Sequence, residues 1–377
     1  MKFETFKAGA WRPRYQYKSF EPVPVNHAWS WEDVHINLLL ERANRALGEL
    51  NAFSLIVPDI DLFIQMHVAK EAQTSSRIEG TQTGFDEALM LEEDIRPEKR
   101  DDWREVRNYI DAVNISVAEL QAMPLSNRLL RQTHEVLMRG ARGEHKQPGD
   151  FRSSQNWIGG SSLSDAVFIP PHPDGVQELM GDLEKFWHNE DITVPHLVRV
   201  AISHYQFEAV HPFLDGNGRI GRLMIPLYLV SHGLLAKPSL YLSDFFERNR
   251  ASYYDALMRV RVANDLVHWV RFFLNGVAET AVKGRDVFGK ILKLRTEVEQ
   301  SVLGLGKRAP LATAALKVLY RRPMVSSAEL EKELAVSTPT ANALIRELVR
   351  VGILHEITGQ QRGRIYAFDA YLELFVS

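Results

Sequence analysis

Twelve consecutive residues, His211-Pro212-Phe213-Leu214-Asp215-Gly216-Asn217-Gly218-Arg219-Ile220-Gly221-Arg222, combine a proton acceptor, a carboxylate, two flexible glycines and two permanent cations. Thr193 to Val210 reads as a helix with Pro195 in its first turn, and Arg219 to Ser231 as a second helix ended by Gly233. The segment is then a loop feeding a helix N-terminus. Gly216 and Gly218 permit positive φ and close approach of a ligand, and the unpaired amides of the first turn make an anion site. Arg219 and Arg222 share one helical face and together suit a polyphosphate, while Ile220, Leu223, Met224 and Leu227 supply the opposing apolar stripe. Asp215 would repel a bare phosphate, and an intervening cation removes the conflict. Mg2+ typically takes one or two carboxylates plus phosphate oxygens. His211, as a neutral imidazole, can accept a proton from an incoming hydroxyl, and Phe213 is an apolar peg for the loop.

The elements that must hold this loop are mostly helical. Residues 1–30 read as an extended arm, broken by Pro13, Pro22 and Pro24 and docked by Trp11, Tyr15 and Phe20. Helical spacing covers about 32–122, with a start at Pro58-Asp59-Ile60 and a run through Gly80. Pro148 to Pro173 reads as a hairpin flap around Gly159-Gly160, and helices return from Gly175 to about Leu303. Gly304-Leu305-Gly306 is the candidate linker. Beyond it, helices at Leu311–Tyr320, Ser327–Leu334 and Thr338–Val351 precede an alternating stretch, Ile353–Phe368, around Gly359-Gln360-Gln361-Arg362-Gly363. The fold class is therefore mainly α: a helical core with a β-hairpin flap, then a C-terminal unit that resembles a winged helix-turn-helix.

A formal net charge of -3 excludes a chain-wide electrostatic footprint for nucleic acid. The last unit, with ten Lys or Arg against seven Asp or Glu from Lys307 onward, is the exception. Absence of cysteine excludes thiol catalysis and Cys-ligated metals. No stretch is long and apolar enough to span a membrane and no secretory h-region opens the chain, so the cytoplasm is the expected location. Gly304-Leu305-Gly306-Lys307 fails as a phosphate loop because Ser301 stands where the first glycine belongs. His196 and His204, spaced eight and seven with His211, read as packed side chains.

The loop matches the signature of the Fic family, His-x-Phe-x-Asp/Glu-Gly-Asn-Gly-Arg-x-x-Arg, at every defined position. The resemblance implies a Fic-type core at 111–285, preceded by an N-terminal arm and helical region at 1–110. A connecting helix and linker at 286–306 and the winged helix at 307–377 follow. It implies ATP and Mg2+ as cofactors, His211 as general base, Asp215 as metal ligand, and Gly216, Asn217 and Gly218 as the hole for the α- and β-phosphates. Arg219 and Arg222 would support the β- and γ-phosphates. Tyr253 and Tyr254 resemble the aromatic positions near the nucleotide. The activity implied is transfer of AMP to a Ser, Thr or Tyr hydroxyl of a target protein or of the chain itself. A flap edge could register that target by strand addition.

Ser75-Ser76-Arg77-Ile78-Glu79-Gly80 closes a predicted helix, where Glu79 opposes the helix dipole and so needs another partner. The run resembles the Ser/Thr-x-x-x-Glu-Gly/Asn inhibitory motif of Fic proteins, which implies that Ser75 and Glu79 act on Arg222. Alternatives are removal of AMP from a modified protein, transfer of another nucleotide, and a DNA-binding regulator working through the C-terminal unit. A homodimer is open to the chain.

Overall fold

The computed structural model describes residues 1–140, 144–360 and 363–376; Gln361 and Arg362 of the expected wing lie outside the described residues. The helical body runs α1 (Val34–Ile56), α2 (Ile60–Ile78), α3 (Phe85–Leu89), α4 (Arg100–Glu119), α5 (Asn127–Leu137), α6 (Pro173–His188), α7 (His196–Val210), α8 (Asn217–Ser231), α9 (Ser243–Arg248), α10 (Arg250–Ala263) and α11 (Leu266–Leu303). Local chemistry fixes several ends. The Asp33 carboxylate accepts the His35 and Ile36 amides ahead of α1, and Asp265 accepts that of His268 ahead of α11. α1 lies along α11, burying Ile36, Ala43, Leu47 and Leu50 on one stripe. α7 and α8 form the centre: almost every residue of both helices is buried.

Two expectations change in the first half of the chain. The N-terminal arm is not merely extended: β1 (Gly9–Pro13) and β2 (Lys18–Pro22) form an antiparallel hairpin, with Trp11 opposite Phe20. Phe20 is buried and Trp11 packs edge-on against it and Phe168, but Tyr15 sits in the tight turn, is 99% exposed and docks nothing. The flap, conversely, has less sheet than expected. One antiparallel bridge, Ile158 to Phe168, closes it, and Asp165 binds the amides of Ser161 and Ser162 at its tip. Its outgoing edge is taken up by the arm, because Phe20 N–H donates to Ile169 O at 2.9 Å.

Pro195 precedes α7 as its N-cap instead of occupying its first turn, and α8 begins two residues earlier than the spacing indicates, at Asn217. The candidate linker is tight. A single 3-10 turn, Gly306–Arg308, joins α11 to α12 (Ala309–Arg321), with only Gly304 and Leu305 between turn and helix.

α12 is followed by β3 (Met324–Ser326), α13 (Ser327–Leu334), α14 (Thr338–Arg350), β4 (His355–Glu356), β5 (Ile365–Ala367) and α15 (Asp369–Val376). The strands pair antiparallel in the order β3-β5-β4. β3 and α15 were not expected. α15 turns this unit back onto the body: Tyr371 meets Phe63 and Tyr320 edge-on, and Phe375 meets the His67 ring at 5.1 Å. α2 is thus covered by α4 on one flank and by α12 and α15 on another.

Candidate active site

α7 ends on His211, whose backbone is left-handed at φ 49° and ψ 62°. That region costs a non-glycine residue energy and persists where the surroundings hold it. Here they do. The His211 carbonyl accepts from Arg152 Nε at 2.9 Å and Asn156 Nδ2 at 3.3 Å, and Arg152 Nη2 also reaches Pro171 O and Val210 O. One buried guanidinium therefore ties the flap to the end of α7. Burial pushes the His211 ring pKa down to about 3, Arg261 and Arg152 add to the effect, and the Glu208 carbonyl opposes it. The imidazole is neutral near pH 7, as a proton acceptor must be.

The loop is pinned by its own side chains. Phe213 is fully buried and stacks on His134 at 3.9 Å and 9°. Asn217 accepts the Phe213 amide and donates to the Phe213 carbonyl, both at 2.8 Å, so its side chain staples the loop and only its backbone can face a ligand. Gly216, at φ 72°, is where the chain turns into α8. Gly218 is a different case: its φ is not positive, and its lack of a Cβ matters because that atom would lie 2.3 Å from Glu79 Oε1. The first ladder bond of α8 runs from Ile220 N to Gly216 O, so the amides of Asn217, Gly218 and Arg219 precede the ladder and form the anion cradle of a helix N-terminus.

Around the cradle, the two arginines have separate surroundings. Arg219 is 3.4 Å from Glu105 and 3.9 Å from Asp215. Arg222 is buried; its Nε donates to Ser75 Oγ at 2.8 Å and its Nη2 to Ser75 O at 3.0 Å and Glu79 Oε1 at 2.7 Å. Burial lowers the Arg222 pKa, but the Glu79 carboxylate, with Tyr253 and Glu208, outweighs it and holds the guanidinium above its ordinary value. Glu79 itself is 38% exposed, so the pair is open on the carboxylate side.

Asp215 is half exposed at the cradle mouth, and its Oδ1 accepts the Gly216 amide at 2.6 Å. One open carboxylate beside amides that favour phosphate fits the habit of Mg2+, which shares its shell between protein and phosphate oxygens. Among the described residues no cluster of three or more His, Cys, Asp or Glu side chains surrounds it.

Tyr253 and Tyr254 are neighbours with different fates. Tyr253 is core, its hydroxyl on His204 Nε2 at 2.8 Å, so it packs beneath the site and does not line it. Tyr254 is 43% exposed and lies under the Arg250 guanidinium. His204 also binds Gly221 O, and His196 binds Tyr228 OH. Sequence reasoning missed Arg152, Asn156, His134 and Glu208. Arg152 and Asn156 lie near the flap glycines with no spacing relative to His211, whereas Glu208, one helical turn before His211, was open to detection.

Fold and site together define a helical protein with a loop feeding a helix N-terminus, a neutral histidine beside it and a buried arginine countered by a carboxylate. Residues 37–118 match the model of the Fic/DOC family N-terminal region, and residues 124–229 match that of the Fic/DOC family. The chain belongs to the Fic/DOC family. It is 30% identical over 141 residues to Protein adenylyltransferase Fic of Drosophila erecta, covering 37% of this chain and 25% of that protein. Against Protein adenylyltransferase fic-1 of Caenorhabditis elegans it is 33% identical over 127 residues, 33% of this chain and 22% of that one. The chain thus spans about a quarter of the length of the curated relatives it matches. A Fic family protein from Desulfovibrio desulfuricans G20 shares the fold, with a TM-score of 0.57 at 21% identity over 92% of this chain and 98% of the other.

Proposed function

We propose that this chain is a protein adenylyltransferase that moves AMP from ATP to a Ser, Thr or Tyr hydroxyl of a target protein or of itself, and that Glu79 restrains it. The observation that carries the reading is that His211 ends α7 at the loop, the free first-turn amides open α8, and the Arg222 guanidinium of α8 folds back beside Gly218. The amides of Asn217 and Gly218 bind the α- and β-phosphates, Arg219 the β-phosphate and Arg222 the γ-phosphate. His211 takes the hydroxyl proton as that oxygen bonds to the α-phosphorus; the α–β bridging P–O bond breaks and pyrophosphate leaves. Asp215 is the residue that would hold Mg2+, which supplies charge neutralisation on the phosphates. Tyr254 is the aromatic neighbour of the nucleotide.

Glu79 restrains the reaction by keeping Arg222 from the γ-phosphate. The reading keeps the division at residues 110, 285 and 306 and places the reaction in the cytoplasm, where ATP and protein targets coexist. α12, α13 and α14 with the three-stranded sheet we read as a winged helix-turn-helix. The exposed Thr340, Asn342 and Arg346 of α14 favour DNA as its partner.

The test uses ATP labelled on the α- or the γ-phosphate. Label reaches protein from the α-labelled donor alone, and His211→Ala lowers transfer by at least about a hundredfold with nucleotide binding retained. Transfer undiminished in that variant rejects the assignment. Removal of AMP from a pre-modified target by the wild type but not by Glu79→Gly assigns Glu79 to the reverse reaction instead.

A further inference from the structure

A cavity of about 80 Å3 lies beside the face of α2 that engages Arg222, at the junction of α2, the 239–244 segment, α11 and α15. Its wall holds three buried polar atoms with no protein partner: Tyr241 Oη, Ser239 Oγ and His67 Nε2. Tyr241 and Ser239 are 8% and 4% exposed, so these hydroxyls have been taken from water into the wall. A buried polar group left unpaired is destabilising, so a ligand that pairs it is favoured. Lys70 adds an ammonium that makes no ion pair or hydrogen bond among the described residues; it lies 5.3 Å from the centre of the Phe85 ring, in the field of Asp244. Lys283, by contrast, is paired with Asp244 at 3.4 Å. Val287, Leu374 and Phe375 add apolar lining, Phe375 beside the His67 ring, and the carboxylates of Glu71 and Asp244 complete it.

We propose that this cavity binds a short-chain monocarboxylate. The carboxylate meets Lys70 and the two hydroxyls, and its alkyl end lies against Leu374 and Phe375. Size agrees with a ligand that enters in part: a protein cavity of about 150 Å3 holds benzene, so about 80 Å3 encloses roughly three non-hydrogen atoms, the carboxylate, and the alkyl end lies toward the open side. Phosphate fits the cation but leaves the apolar wall uncovered.

The position gives binding a consequence, which rests on the restraint assigned to Glu79. Thr74 and Glu71 line the cavity, while Ser75 and Glu79, on the same helix, hold Arg222. A ligand that binds only while α2 is seated stabilises the seated state by mass action and strengthens the restraint.

Sodium butyrate is the probe, with butyramide, sodium phosphate and sodium chloride as controls on the intact chain. Saturable binding of butyrate, read by ligand-observed NMR and by a rise in melting temperature, is expected, with butyramide at least tenfold weaker. Lys70→Met and Tyr241→Phe should each abolish it. Tyr241→Phe removes only an unpaired hydroxyl and leaves the unliganded melting temperature unchanged or higher. At ten times its Kd, butyrate should slow self-modification by up to about elevenfold in the wild type and not in Glu79→Gly. No saturable binding, equal binding by Tyr241→Phe, or a preference for phosphate overturns the site. Binding without any change in rate overturns the coupling alone, and a chain that binds butyrate but transfers no AMP counts against the proposed function and not against the cavity.

Discussion

Arg222 is buried with its charge, and a buried guanidinium requires a partner at all times. Ser75 supplies two acceptors, and Glu79 the only carboxylate within ion-pair distance among the described residues. Glu79→Gly leaves the cation short of one charged acceptor, a role that a γ-phosphate can fill. A charge-assisted bond of about 1.5–3 kcal/mol corresponds to roughly ten- to more than a hundredfold, and self-modification should rise by that factor. Glu79→Gly combined with Arg222→Ala should lose most of the gain. A rise that survives the double substitution would separate Glu79 from Arg222. Gly218 belongs to the same scale: Glu79 Oε1 lies 2.3 Å from where its Cβ would stand, so a side chain there would displace the carboxylate from its present place beside Arg222.

At the scale of the element, α7 carries the buried Glu208 one turn before His211. Burial raises the Glu208 pKa to about 7 against an ordinary 4.5, with Arg222 opposing. Between those two values the native chain binds the extra proton, so stability falls as pH rises through the window and the loss is complete above about 7. A rise from 4.5 to about 7 corresponds to at most about 3.4 kcal/mol. Glu208→Gln should therefore match the wild type in urea midpoint near pH 4.5 and exceed it at pH 8, a gap that grows with pH. A constant gap would mean Glu208 is ionised throughout. His204 and His211, whose folded pKa values lie near 3, act in the opposite sense and remove stability as pH falls below about 6.5. The elements differ in how plainly the sequence announces them. α7, α8 and the loop between them were legible, because an apolar run, a glycine turn and charged residues at helical spacing are local signals. The left-handed His211 was not: it depends on Arg152 and Asn156, brought in by the flap across more than fifty residues. Tyr253 and Tyr254 look alike in sequence, and only packing sends one into the core. The β1–β2 hairpin was hidden by prolines that serve at strand ends, and α15 by being short.

For the whole molecule, the C-terminal unit is joined to the body by one tight turn and by aromatic contacts on α2. If α14 reads DNA, anisotropy of a labelled duplex should show binding that weakens as salt rises from 50 to 200 mM. Arg346→Ala should weaken it, and His211→Ala should leave it unchanged. Salt-independent or absent binding would leave this unit to protein contacts. Removal of 307–377 is not the neutral cut that a loose linker would allow, since it uncovers Phe63 and His67.

α11 runs 38 residues without a break, about 57 Å, from beside α7 to the start of that turn. Braced along α1, it is a loaded beam with no hinge along its span. A macromolecule that grips the far end cannot swing it freely; any torque it exerts is resisted by the joint it shares with α2. A pull on that end is therefore passed to the first half of α2, where Phe288 meets the His67 ring and Arg295 pairs with Asp59.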